Sequence, residues 1–195
     1  MRTLLGILGV MAALWGEAQA AESVSARLEA AKAAYAKGDV ARSAAETEAA
    51  LAELHARLGK ALAEFLPAPP AGWQAEAAET QAMGSAGGGI AVSRAYSRDE
   101  SSLNAALVLD SPAVLSAAGQ FATIADGQPN FKHLKIGAED AVLRWDPTVR
   151  TGEITLVLGN RVLLQIEGDS LGTSELLAEA ARGWNVAGIR KYLGL

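Results

Sequence analysis

The segment Leu66-Pro67-Ala68-Pro69-Pro70-Ala71-Gly72 divides the chain into two kinds of sequence. Proline has no N–H to give to a helix or a sheet ladder, and three of them stiffen the segment towards polyproline II. Before it, residues 22–65 are dense in Ala, Glu, Leu, Lys and Arg, all strong helix formers. After it, apolar residues alternate in short runs between Gly-, Asp- and Asn-rich turns, as strands do. The expected class is therefore α+β: an N-terminal αα-hairpin followed by a mainly antiparallel β-sheet with helices packed on it. The expected divisions are residues 1–20 as a leader, 21–65 as the hairpin, 66–72 as a linker and 73–195 as an α+β sandwich domain.

The leader is MRTLLGILGVMAALWGEAQA. Arg2 provides a positive start, Leu4 to Trp15 an uncharged apolar run, and Ala18-Gln19-Ala20 the small residues of a cleavage site. The apolar run is short for a bilayer span. The expectation is a cleaved signal and a periplasmic or secreted protein with no stable membrane insertion. Arg2 and Glu17 leave together, so the net charge of -5 does not change on cleavage.

In the hairpin, Val24, Leu28, Ala31 and Tyr35 recur at helical spacing. Gly38-Asp39 then stops one helix and caps the next, because glycine suits a left-handed C-terminus and aspartate an N-cap. Ala34-Tyr35-Ala36-Lys37-Gly38-Asp39-Val40 resembles half of a tetratricopeptide-type unit, of which about three are needed to stack stably. Leu51, Leu54, Leu58 and Leu62 form a stripe on the second helix, and this stripe is a candidate surface for self-association or for another periplasmic protein.

In the second part, Trp73 to Glu79 is a candidate first strand and Gln81 to Gly89 a glycine-rich loop. Ile90 to Ser97 and Leu103 to Asp110 alternate around a turn at Arg98 to Ser102. That pairing sets Ala91, Ser93 and Ala95 beside Leu107 and Leu109, and Val92, Arg94 and Tyr96 beside Asn104, Ala106 and Val108. Ser111-Pro112 starts a helix running to about Ile124. Strands follow at Lys132 to Ile136, Ala141 to Trp145, Glu153 to Leu158 and Arg161 to Glu167. A two-residue turn at Gly159-Asn160 pairs Val157 with Val162 and Thr155 with Leu164 on one face, and Leu156 with Leu163 and Ile154 with Gln165 on the other. Both faces then read as apolar and covered. Thr173 or Ser174 starts a further helix, which breaks near Gly183, and Asn185 caps a last one ending at Leu193.

Several of these features together resemble an uncharacterised family of proteobacterial periplasmic proteins. They are the leader, the Gly-Asp hairpin, Phe65-Leu66-Pro67 through Ala71-Gly72-Trp73, the glycine-rich stretch before a strand, and Gly159-Asn160-Arg161-Val162 leading to Glu167-Gly168-Asp169. The strand and helix order of residues 90–193 is similar to that of PsbP/Mog1-type α/β/α sandwiches. Neither resemblance implies a catalytic residue.

The chemistry-bearing residues are few. The chain has no cysteine, which removes thiolate nucleophiles, disulfides and Cys-ligated metals. Two histidines, His55 and His133, leave little room for a His-based metal site, and the acidic balance argues against a nucleic-acid binder. Gly84 to Gly89 lacks the lysine and following helix of a phosphate loop. Of the acidic candidates Asp110, Glu139, Asp140, Asp146, Glu167 and Asp169, most fall at expected strand ends, and turn and cap roles explain Asp110, Asp140 and Asp146. Trp145, Asp146 and Arg150 share one loop and form a candidate ligand rim, while Trp73 and Trp184 read as core anchors. The expectation is a non-enzymatic exported protein that binds a partner protein or itself, without cofactor or metal. A small-ligand carrier and a carboxylate-based hydrolase are the alternatives.

Overall fold

A computed structural model describes residues 23–84, 87–121, 123–125 and 128–195. The expected leader at 1–20, Ser85 and Ala86 of the expected glycine loop, and Asp126-Gly127 lie outside the described residues. The class is α+β, with two compact units, Met1–Arg57 and Leu58–Leu195.

The first unit is the helical hairpin. Helix α1 covers residues 23–36, and α2 is Val40–Ala63, which crosses into the second unit. Gly38 has φ +77° and the Asp39 carboxylate accepts from Arg42 N at 3.1 Å, so the Gly-Asp break works as its residues predict. Val24, Ala31, Ala34 and Ala50 are buried. Ser23 donates to Glu53 and Arg27 pairs with Glu46, which ties α1 to α2. Leu28, Tyr35, Val40, Leu51 and Leu54 are exposed.

The second unit is an eight-stranded antiparallel sheet with helices on both faces. Its strands are β1 (Gln74–Ala75), β2 (Glu79–Ala82), β3 (Ile90–Arg98), β4 (Ser101–Leu109), β5 (Phe131–Ile136), β6 (Glu139–Asp146), β7 (Thr151–Leu158) and β8 (Val162–Asp169). The order is β1-β3-β4-β8-β7-β6-β5, with β2 also pairing β3. Helix α3 is Pro112–Phe121, α4 Glu175–Arg182 and α5 Val186–Leu193. Asn185 caps α5 by accepting from Gly188 N at 2.9 Å. Among the described residues no helix is long and apolar enough to cross a membrane.

Two turns correct the expected registers. The β3–β4 hairpin closes on Asp99-Glu100 alone, with Arg98 opposite Ser101 and Asp99 at φ +53°. The β7–β8 hairpin closes on three residues, Gly159, Asn160 and Arg161, with Leu158 opposite Val162. Each change shifts the pairing by one residue. Val92 now opposes Leu107, Tyr96 opposes Leu103, Ile154 opposes Ile166 and Leu156 opposes Leu164. Large apolar residues thus gather on one face, and Ser93, Ala106, Thr155 and Gln165 share the other.

The apolar face is the main core. Ile90, Leu107, Leu109, Ile154, Leu156, Leu164 and Ile166 are fully buried there, with Leu177 of α4 and Ile189 of α5. The last turns of α2 join it. Leu62 is fully buried and Leu58 packs against the same cluster. The expected leucine stripe is therefore corrected: Leu58 and Leu62 are core residues of the second unit, and only Leu51 and Leu54 stay exposed. The proline segment is no free linker either. Leu66 and Trp73 are buried, and Tyr96 Oη donates to the Pro67 carbonyl at 2.6 Å. On the opposite face, α3 covers one end only, through Val114 over Val108 and Leu163.

Candidate functional site

The end of the sheet that α3 leaves uncovered carries polar side chains in cross-strand rows. Asn104, Glu167, Glu153, Arg144 and Phe131 are successive partners across β4, β8, β7, β6 and β5. The next row is Ala106, Gln165, Thr155, Val142 and His133. Strand alternation puts both rows on the same face.

A hydrogen-bonded chain links them. Arg144 Nε donates to Glu153 Oε1 at 2.9 Å, and Gln165 Nε2 donates to Glu153 Oε2 at 2.9 Å and to Glu167 Oε1 at 3.1 Å. Glu153 and Glu167 face each other directly across β7 and β8. Like charges in that position repel, and the Gln165 amide between them offsets part of the repulsion. Both Glu153 oxygens are engaged, whereas Glu167 is exposed and has no ion-pair partner among the described residues.

Two adjoining hollows lie on this face. One, of about 430 Å³, is floored by Asn104, Glu153, Glu167, Asp169, Arg144 and Thr151. The other, of about 420 Å³, runs under α3 and is lined by Phe121, Ile124, Phe131, Val142 and Leu163, with Thr155 and Gln165 on its polar side. Arg144 and Glu153 belong to both. The first holds three carboxylates, Glu153, Glu167 and Asp169, against one guanidinium, Arg144.

The residues of the expected ligand rim each make local contacts. Trp145 is partly buried against the main core. Asp146 Oδ1 accepts from Thr148 N at 2.8 Å within its own turn. Arg150, at φ +58°, donates to the carbonyls of Leu171 and Ser170 at 2.8 and 2.9 Å. Arg150 thus holds the β6–β7 turn to the segment before α4, Asp146 closes the turn on itself, and Trp145 packs on the core, so each has a local structural partner. Of the six acidic candidates, Glu167 and Asp169 reach the hollow. Asp110 pairs with Arg161 at 2.8 Å, and that hydrogen-bonded guanidinium lowers the Asp110 carboxyl below its usual range. Glu139 takes two bonds of 3.0 Å from Arg190, which raises the Arg190 guanidinium, and Asp140 pairs with Lys135 at 2.7 Å. His133 is exposed and its Nε2 lies 3.1 Å from the Ile124 carbonyl. Trp73, with Arg98 over its ring at 5.1 Å, and Trp184 are buried as core anchors.

Sequence reasoning missed Asn104, Arg144, Glu153, Thr155 and Gln165. Counting alternate residues back from a three-residue β7–β8 turn would have aligned Glu153 with Glu167 and Thr155 with Gln165. Two carboxylates bonded to one amide nitrogen do converge, as a carboxylate-based hydrolase requires. They converge on an open face, however, and the acid of such a pair works from a water-shielded, apolar setting. No family model matches this chain, and neither does any curated protein or solved structure.

Proposed function

We propose that this is an exported, non-enzymatic protein that binds another envelope protein through the uncovered end of its sheet. The observation that carries the reading is the division of one sheet face, where α3 shields an apolar end and, among the described residues, a row of polar side chains spans four strands without a helix packed on it. Buried polar groups must be satisfied, and a solvated sheet face can be, so this end is free to meet a partially polar partner. The pattern of residues 1–20 and the family resemblance supply the periplasmic setting. Affinity capture from envelope extract tests the reading, with wild type compared against Thr155→Trp, which places bulk on the open face. A partner held by wild type and lost by a folded Thr155→Trp variant is the expected result. Equal capture by both refutes the choice of face.

A specific observation favours a second reading, that of a small-ligand carrier. The hollow under α3 is about 420 Å³, within the range of small-molecule sites, and sets Phe121, Ile124, Phe131, Val142 and Leu163 beside polar groups. A mass increment on the purified protein in native mass spectrometry, removed by Leu163→Trp, is the outcome expected of a carrier.

A further inference from the structure

We infer that the segment docked on this face presents a Lys or Arg side chain to Glu167 and Asp169, and an apolar side chain to the hollow beneath α3. This rests on the open face being the binding face, and adds the chemistry of the occupant. Three carboxylates against one guanidinium leave the first hollow with two surplus negative charges. Among the described residues the one cation lining it, Arg144, is already bonded to Glu153, and neither Glu167 nor Asp169 has an ion pair. A cationic group would relieve the direct Glu153–Glu167 opposition, which Gln165 bridges with one neutral amide.

The second hollow sets the rest of the occupant. It adjoins the first through Arg144 and Glu153, and away from its polar side, which includes Thr155 and Gln165, its apolar walls include Phe121, Ile124, Phe131, Val142 and Leu163. Val142 and Thr155 lie one row beyond Arg144 and Glu153, and a row is two residues of strand, about 7 Å. Residues i and i+2 of an extended peptide stand the same distance apart on one side. A basic and an apolar residue two positions apart in an extended segment therefore meet both hollows at once.

The test uses the full purified protein and the side-chain amide signals of Asn104 and Gln165 in an NMR titration. The probe is a Gly/Ser octapeptide carrying Arg-Ser-Leu, compared with versions carrying Glu-Ser-Leu and Arg-Ser-Ser, and with hexylamine. The Arg-Ser-Leu peptide is expected to shift both signals saturably, and both control peptides to bind more weakly. Glu167→Gln with Asp169→Asn should weaken binding about three- to ten-fold, as should raising salt from about 0.05 to about 0.5 M. Equal binding of the Glu peptide, insensitivity to the two substitutions, or no shift with any probe overturns the inference. Hexylamine binding without peptide binding also overturns it, in favour of a free small cation. Failure is separable from failure of the face itself. If Thr155→Trp abolishes partner capture and Glu167→Gln with Asp169→Asn does not, the face stands and the cationic occupant falls.

Discussion

Replacing Gly152 by alanine should destabilise the second unit although the backbone there suits any residue. Gly152 and Gly168 oppose each other on the covered face of β7 and β8, and Leu177 of α4 lies over both. A Cβ on Gly152 would stand 2.5 Å from the Arg144 carbonyl oxygen, 2.9 Å from Trp145 Cε3 and 3.0 Å from Leu177 Cδ1. The carbonyl belongs to β6 and cannot retreat without disturbing the β6–β7 pairing. Overpacking of this kind costs about 1–3 kcal/mol, and a backbone obstacle puts Gly152→Ala at the upper end. Alanine recovers about 0.4–1 kcal/mol by restricting the unfolded chain. The net loss is about 2 kcal/mol, or a fall in Tm of about 4–8 °C for a domain of this size. Denaturant unfolding should show a lower midpoint at unchanged slope. Leu177→Ala alone should cost about 2–5 kcal/mol, and the double variant less than the sum by about 1 kcal/mol, since trimming Leu177 removes one of the clashes. Wild-type stability in Gly152→Ala, or strict additivity with Leu177→Ala, would refute the account of these glycines as the contact on which α4 rests.

Three further outcomes follow from single contacts. Tyr96→Phe should cost about 1 kcal/mol and increase amide exchange in residues 66–73, because it removes the bond to the Pro67 carbonyl. Burial raises the Tyr96 phenol, so its contribution is present below about pH 10 and is lost as pH rises through the higher folded value; Tyr96→Phe should lack that alkaline decline in a denaturation series. Asp110, lowered by Arg161, adds stability above about pH 4 and loses it as pH falls through the depressed folded value. Asp110→Asn keeps a residue that tolerates φ +53°, so the stability difference from wild type should be positive at neutral pH and vanish in acid. Leu62→Ala should cost about 2–5 kcal/mol and Leu51→Ala at most about 0.5 kcal/mol, with sedimentation of Leu51→Ala reporting any self-association through the hairpin.

The elements of the fold were legible where local chemistry is strong. The Gly38-Asp39 break, the Ser111-Pro112 helix start and the Asn185 cap each need only two or three neighbouring residues, and each is found as expected. The leucine stripe misled because helical spacing shows that Leu51, Leu54, Leu58 and Leu62 share one side, but not where along α2 the sheet begins to cover it. The proline segment misled for a related reason. Its composition fits a linker, and its docking depends on Tyr96, a residue 29 positions away from the carbonyl it binds.

The candidate site was hidden by turn length. Gly159-Asn160 satisfies a two-residue turn, and under that turn Ile154 pairs with Gln165 and Thr155 with Leu164, so both faces read as largely apolar and the few polar residues are split between them. Adding Arg161 to the loop sorts them, with Ile154 against Ile166 inside and Thr155 against Gln165 outside. The sorting itself is the physical criterion. Of two registers one residue apart, the stable one buries Leu and Ile together and leaves Glu and Gln to water. Applied at once to β3–β4 and β7–β8, it selects the pairings Val92–Leu107 and Leu156–Leu164 and gathers Asn104, Glu167 and Glu153 into one row. The polar row is thus a consequence of core formation on the other face. Core formation does not require two of those residues to be carboxylates side by side. Serine or threonine at Glu153 and Glu167 would leave the covered face unchanged and spare the sheet their repulsion, so this pair, rather than the row as a whole, is what supports the proposed binding face.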